Sequence, residues 1–119
     1  MKNSPKLPLV SLGVDIVNIP RFQSLLESGT FSNSVFSPNE MRLPIESLAG
    51  NFAIKESFIK AFKGEVPPFD FDTLEVLRDL SGAPMLRTSN PSLLRYVSKV
   101  IALSISHDID YCVGIVLVQ

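Results

Sequence analysis

Prolines divide this sequence into short segments and leave one long stretch open to a helix. Each of the nine prolines disfavours a helix interior, because its ring removes an amide donor and clashes with the preceding turn. Between Pro44 and Pro67, residues 45–63 carry apolar side chains at helical spacing. Those side chains are Phe52, Ala53, Ile59 and Phe62. We therefore predict the longest helix over residues 45–63.

The other elements are short, and their patterns predict a mixed α/β chain. Residues 9–17 alternate between apolar and small or polar side chains, which predicts a half-buried strand with Asp15 on its polar face. A helix at 20–28 follows, begun by Pro20 and stopped by Gly29. The remaining predictions are a brief helix begun by the Ser37, Pro38 and Glu40 capping box, a hairpin with strands at 74–79 and 85–87, a helix at 90–96, and antiparallel strands at 100–106 and 111–118 joined by residues 107–110.

Composition limits the partners and the location of the chain. Its 119 residues are 45% hydrophobic and only 19% charged, with a net charge of −1, which predicts one compact domain over residues 1–119. Because charge is scarce, we expect some apolar surface to be covered by another subunit. Scattered, balanced charges argue against nucleic acid. No apolar run approaches the ~20 residues that span a bilayer, and residues 1–8 lack a signal-peptide core, so we expect a cytoplasmic protein that binds no membrane.

Two carboxylates are the best candidates for chemistry. One cysteine and one histidine exclude a zinc site built from several such ligands, so a bound metal needs oxygen donors. Asp15 and Glu56 each lie within an apolar element, where a carboxylate is costly to bury without a partner. Together they suit one hard cation such as Mg²⁺. Lys60, one turn beyond Glu56, is suited to a phosphate, although the same spacing also fits an ordinary surface ion pair between Glu56 and Lys60.

Three other residues allow simpler interpretations. His107 follows the predicted strand 100–106, where it can meet a ligand or serve in a turn. A triad of Ser106, His107 and Asp108 is discounted, since neighbouring strand residues point to opposite faces. Cys112 lies in an apolar stretch without a basic neighbour, which predicts a small core residue. Arg21 is most simply a solvated charge.

Four segments carry a more specific pattern. They are GVDIVNIPRF at 13–22, LAGNFAIKESFIKAF at 48–62, LEVLRDLSGAP at 74–84 and SISHDIDYCVGIVL at 104–117. In this order they resemble the holo-acyl-carrier-protein synthases, which are small phosphopantetheinyl transferases. The resemblance implies an α+β fold in which an antiparallel sheet packs on a long central helix.

The resemblance also implies a reaction and a metal. The reaction is the transfer of 4′-phosphopantetheine from coenzyme A to a serine of an apo acyl carrier protein, with release of adenosine 3′,5′-bisphosphate. It requires Mg²⁺, for which Asp15 and Glu56 are the matching ligands. Asp15, Glu56 and Lys60 are then the catalytic residues, and Lys60 contacts the phosphates.

Further contacts follow from the same resemblance. Gly64, Ser106 and His107 match coenzyme A-binding positions, with His107 near the 3′-phosphate of the nucleotide. Arg21 matches a residue that holds the acidic carrier protein. Family members of this length are usually homotrimers with active sites between neighbouring copies.

Some residues depart from the family pattern. Asn51 stands where the family usually has an arginine, and Lys63, Gly64 and Glu65 replace a glycine-rich turn. These departures motivate a second hypothesis, a degenerate homologue that binds coenzyme A or a carrier domain without efficient transfer. A third hypothesis is a structural subunit, for which the metal and phosphate residues would be unnecessary.

Overall fold

A computed structural model describes residues 10–31 and 34–119, which form helices and antiparallel strands. The strands are β1 (Ser11–Asn18), β2 (Leu74–Arg78), β3 (Pro84–Thr88), β4 (Val100–Asp108) and β5 (Tyr111–Val118), and the helices are α1 (Ile19–Glu27), α2 (Ile45–Ala61) and α3 (Leu94–Val97). Short 3₁₀ turns lie at Glu40–Arg42, Phe71–Thr73 and Pro91–Leu93. One sheet has the order β1-β5-β4, and the other pairs β2 with β3. The predicted α+β fold is confirmed.

The predicted elements are present, with shifted ends. Leu9, the first residue of the predicted strand 9–17, lies outside the described residues. The predicted link at 107–110 is too long, because β4 continues through His107 and Asp108 and pairs there with β5. The turn between these strands takes the left-handed conformation at Ile109, with a φ of 51°. In the described part of the chain, no helix has the length and apolar character needed to cross a membrane.

Helix α2 lies directly on the three-stranded sheet, because two glycines remove side chains from the contact. A Cβ atom at Gly13 of β1 would stand 1.8 Å from the carbonyl oxygen of Ser57 in α2. A Cβ atom at Gly114 of β5 would stand 2.8 Å from the carbonyl carbon of Ala53. Only glycine allows backbones to approach so closely. The Ser57 hydroxyl spans the contact and donates to the Gly114 carbonyl oxygen at 2.8 Å. This contact places the inner side chains of β1 against α2.

The opposite face of the same sheet is apolar and exposed. Leu12, Val14 and Ile16 of β1 expose 58%, 50% and 64% of their surface, and Ile115 of β5, paired with Val14, is also exposed. We call these four residues the outer sheet face. An alternating strand usually buries its apolar side, but in β1 the small and polar side faces the helix. A continuous apolar surface of this kind is typical of an interaction site.

A buried polar network fastens α2 to the loop before it. The Lys55 ammonium donates to Glu40 Oε1 at 2.7 Å, to the Val35 carbonyl at 2.8 Å and to the Phe71 carbonyl at 2.9 Å. The side chains of Lys55 and Glu40 are both fully buried. Glu40 also exchanges hydrogen bonds with Ser37, as the predicted capping box requires. The three donors of Lys55 are thus all used, which is the condition for burying a charged pair.

The network extends to β2 through Asn51. The Asn51 amide nitrogen donates to Glu40 Oε2 at 2.9 Å and to the Val76 carbonyl at 3.1 Å. The Val76 N–H donates to the same Glu40 oxygen at 3.3 Å. The backbone of β2 therefore bonds to these two side chains at Val76, and α2, β2 and the loop before α2 form one unit.

Candidate active site

Asp15 and Lys60 meet at the contact between β1 and α2. Asp15 lies two residues beyond Gly13 on the inner face of β1, so its carboxylate points toward the last turns of the helix. Lys60 Nζ lies 2.9 Å from Asp15 Oδ1 and 3.1 Å from the Val14 carbonyl oxygen. Because the Lys60 side chain is 53% exposed, its ammonium group is accessible to a ligand.

Glu56 lies one helical turn before Lys60 and is half-buried. Burial raises the pKa of Glu56, and the negative charge of Asp15 raises it further, whereas Lys60 lowers it. The structure therefore brings Asp15, Glu56 and Lys60 together, as the sequence predicts for these three residues. The alternative, a surface ion pair between Glu56 and Lys60, is wrong. Lys60 forms its ion pair with Asp15 instead.

The two carboxylates fit a hard divalent cation in their chemistry. Asp15 and Glu56 are close enough for one to disfavour ionisation of the other, and a cation between them would remove that repulsion. Among the described residues, no group of three or more His, Cys, Asp or Glu side chains is arranged to hold a metal. A cation held by Asp15 and Glu56 would therefore take its other ligands from water or substrate.

An open pocket of about 590 Å³ adjoins Asp15. Its walls include Phe22, Phe52 and Tyr111, with Arg21 at one side. The first turn of α1 is fixed by Asn18, whose side-chain oxygen accepts the Arg21 backbone N–H at 2.9 Å. Arg21 is exposed and lines the same pocket as Asp15.

Cys112 lies behind this site as a core residue, as its sequence context predicts. The side chain is fully buried in β5. Burial, with a smaller contribution from the charge of Asp15, raises the pKa of the thiol to about 11. A thiol with this pKa is a poor nucleophile at neutral pH.

Two of the other predicted coenzyme residues, His107 and Ser106, lie elsewhere in the single chain. His107 is at the opposite end of α2, where its Nε2 atom lies 3.2 Å from the Glu46 carbonyl oxygen. Glu46 and Glu56 are ten residues apart, which corresponds to about 15 Å along a helix. Ser106 pairs with Val113 on the outer side of the sheet, away from His107. Gly64 follows α2 in a left-handed turn with a φ of 82°. The cluster of Asp15, Glu56 and Lys60 is thus separate from His107 and Ser106, whereas Gly64 lies just past the end of α2 and four residues beyond Lys60.

The buried pair of Lys55 and Glu40 was not predicted from the sequence. Lys55 immediately precedes Glu56, so the network that holds Lys55 also fixes the helix turn that carries Glu56. The available signal was a lysine within an apolar helix, which calls for a buried anion. Its partner is 15 residues away, and no local pattern links the two.

The chain as a whole is similar to proteins of a known family. Residues 11–116 match the family model of the 4′-phosphopantetheinyl transferase superfamily. This match covers most of the chain, and the chain therefore belongs to that superfamily.

Individual relatives narrow the comparison to one kind of synthase. The holo-[acyl-carrier-protein] synthase of Clostridium kluyveri is 33% identical over 121 residues, covering 93% of this chain and 90% of the relative. That of Geobacillus kaustophilus is 35% identical, with 93% and 89% covered.

Solved structures of the same kind of synthase are also similar. An ACPS–CoA complex from Chronobacterium ammoniagenes has a TM-score of 0.79 and 34% identity, covering 94% of this chain and 98% of that one. Helicobacter pylori holo-[acyl-carrier-protein] synthase in complex with coenzyme A has a TM-score of 0.73 and 28% identity, with 91% and 99% covered.

Proposed function

We propose that this chain transfers 4′-phosphopantetheine from coenzyme A to a serine of an apo acyl carrier protein and releases adenosine 3′,5′-bisphosphate. The observation that carries the proposal is the cluster of Asp15, Glu56 and Lys60, found in a chain that belongs to the phosphopantetheinyl transferase superfamily. Two carboxylates beside an accessible ammonium group suit a reaction at a diphosphate.

In the proposed reaction the serine oxygen attacks the phosphorus that carries the pantetheine arm. A new P–O bond forms, and the bond from this phosphorus to the bridging oxygen of the diphosphate breaks. Adenosine 3′,5′-bisphosphate leaves with that oxygen. The serine proton passes to a carboxylate of the cluster, such as Asp15, or to a water beside it.

Asp15 and Glu56 would hold Mg²⁺, which supplies positive charge to the diphosphate oxygens. Lys60 would also supply positive charge. In the free protein it balances the charge of Asp15 at 2.9 Å, and with substrate bound its exposed ammonium group is free to contact a phosphate oxygen. Arg21, beside the same site, would contact acidic residues of the carrier protein.

A mass-shift assay tests this proposal. Incubation with apo carrier protein, coenzyme A and Mg²⁺ should add the mass of the phosphopantetheine arm to the carrier. Asp15→Ala and Glu56→Ala should abolish the shift, whereas Asp70→Ala, at an exposed carboxylate outside the site, should leave it unchanged. Absence of the shift with several carriers would contradict the proposal. Tight calorimetric binding of coenzyme A without transfer would favour the degenerate-homologue alternative.

We also propose that the chain forms a homotrimer in which the outer sheet face is covered. The support is the exposure of Leu12, Val14 and Ile16 on one sheet face, together with the separation of His107 from the carboxylate cluster within one chain. Neighbouring copies could then share one coenzyme A molecule between these two regions. Ile16→Lys should reduce the sedimenting mass to that of a monomer. Leu80→Lys, at a fully exposed position in a turn, should not, and a wild-type monomer would refute the trimer.

A further inference from the structure

Arg78, the last residue of β2, is a partly buried cation without a carboxylate bound to it. Its Nη2 atom donates to Asn51 Oδ1 at 2.8 Å, and Nη1 lies 3.4 Å from the Leu77 carbonyl oxygen. The ion pairs within residues 10–31 and 34–119 are formed by other residues. Burial lowers the pKa of Arg78, and the charge of Glu40 raises it. A guanidinium carries five N–H donors, so most of its hydrogen-bonding capacity remains for a ligand.

The position of this guanidinium is fixed by Asn51. The Asn51 side chain is fully buried, and its amide nitrogen donates to Glu40 and to the Val76 carbonyl. These two bonds determine the orientation of the amide, which leaves its oxygen to Arg78. A guanidinium held by a rigid buried acceptor loses little freedom when it binds an anion.

Arg78 and His107 are anchored to the same part of α2. The His107 imidazole contacts the Glu46 carbonyl, and a Cβ atom at Gly50 would lie 3.5 Å from His107 Nε2. Arg78 contacts the next residue, Asn51. Both groups therefore lie beside the N-terminal half of α2.

We infer that Arg78 is a further phosphate-binding residue and that it binds the 3′-phosphate of coenzyme A together with His107. The inference rests on the proposed function. It also explains the departure at position 51, where the resembling family usually has an arginine. In this chain Asn51 supplies no cation itself, but its side-chain oxygen accepts a hydrogen bond from the guanidinium of Arg78 in β2.

The test compares two donors that differ only in this phosphate. Arg78→Gln should raise the KM for coenzyme A about 10-fold, the expected effect of losing one charge-assisted hydrogen bond to phosphate. For the same variant, the KM for 3′-dephospho-coenzyme A and the kcat should each remain within about 2-fold of the wild-type values. Arg87→Gln is the matched control, because Arg87 lies on the neighbouring strand and pairs with Glu75. If Arg78→Gln changed the KM equally for both donors, or changed neither KM, the inference would be overturned.

Calorimetry separates this inference from the proposed function. Wild-type protein should bind adenosine 3′,5′-bisphosphate more tightly than adenosine 5′-monophosphate, and Arg78→Gln should lose that preference. Arg78→Lys keeps the charge, so its preference for the bisphosphate should lie between that of the wild type and that of Arg78→Gln. Any other order of the three preferences overturns the inference. These measurements need no turnover. Absence of transfer by the wild type would refute the proposed function and leave the role of Arg78 to be decided by binding.

Discussion

A single methyl group at Gly13 should disrupt both the fold and the candidate active site. The Cβ atom of Gly13→Ala would stand 1.8 Å from the Ser57 carbonyl oxygen and 2.7 Å from the Ala61 nitrogen. Both clashes are with helix backbone, so no side-chain rotation relieves them. Restoring ordinary contact distance requires β1 and α2 to move apart by more than 1 Å, on the order of the misplacement that costs an active site 10²-fold in rate.

The magnitude follows from this geometry. Overpacking a core usually costs about 1–3 kcal/mol, and we expect about 3 kcal/mol here because two backbones must separate. For a chain of this length that corresponds to a fall in Tm of about 12 °C. Transfer should fall about 100-fold below the melting temperature, since Asp15 moves away from Glu56 and Lys60.

The assay combines thermal melting with carrier modification at a temperature where the variant is folded. Gly82→Ala is the control, because it adds a methyl group with no atom within 4 Å at a residue whose φ is +87°. It should cost about 1–2 kcal/mol through backbone strain alone and leave transfer unchanged. A Gly13→Ala protein with wild-type activity and a Tm within about 3 °C of wild type would refute the reasoning.

Three further predictions concern buried and titrating groups. Lys55→Met should lower the free energy of unfolding in urea by about 3–5 kcal/mol, because Glu40 is left buried without its cation; a loss below about 1 kcal/mol would contradict this. Adding Glu40→Gln should cost less than the sum of the two single changes. The Ser37 hydroxyl lowers the pKa of Glu75 in the folded state, so Glu75 stabilises the fold above its unfolded value of 4.5 and loses this effect as the pH falls through the folded value. The Tm difference between wild type and Glu75→Gln should therefore shrink below about pH 4, and a constant difference would count against it. Cys112, with a pKa of about 11, should react with a thiol reagent at pH 8 only after denaturation, and rapid labelling of the native protein would show that its burial is wrong.

Local patterns were sufficient to predict most helices and strands, because each type of element has its own characteristic spacing of apolar residues. The proline-free stretch at 45–63 became α2, and the capping box at Ser37 is present. The covered side of β1 was not evident, since alternation identifies two faces but not which one meets the helix. Gly13 was the available signal, because a glycine in a strand often marks a close backbone approach.

The candidate site shows the same division between local and distant information. Asp15 and Glu56 stand out as carboxylates in apolar elements, and the structure brings them together with Lys60. The predicted ion-pair partner of Lys60, Glu56, was wrong. The observed partner, Asp15, lies 45 residues from Lys60 in the sequence, so no local pattern links the two. The attachment of Arg78 to Asn51 also depends on how β2 packs against α2, which spacing within either element does not reveal.

The bonds that Glu40 and Asn51 make to Val76 have a consequence for solubility. A two-stranded hairpin offers free backbone groups at its sides, and such groups can recruit a strand from another molecule and start aggregation. At Val76 both backbone groups are already bonded to side chains. The Asn51 amide and the Glu40 carboxylate thus imitate one peptide unit of a neighbouring strand. A substitution at Asn51 would leave the Val76 carbonyl without this bond, while Glu40 would still hold the Val76 N–H.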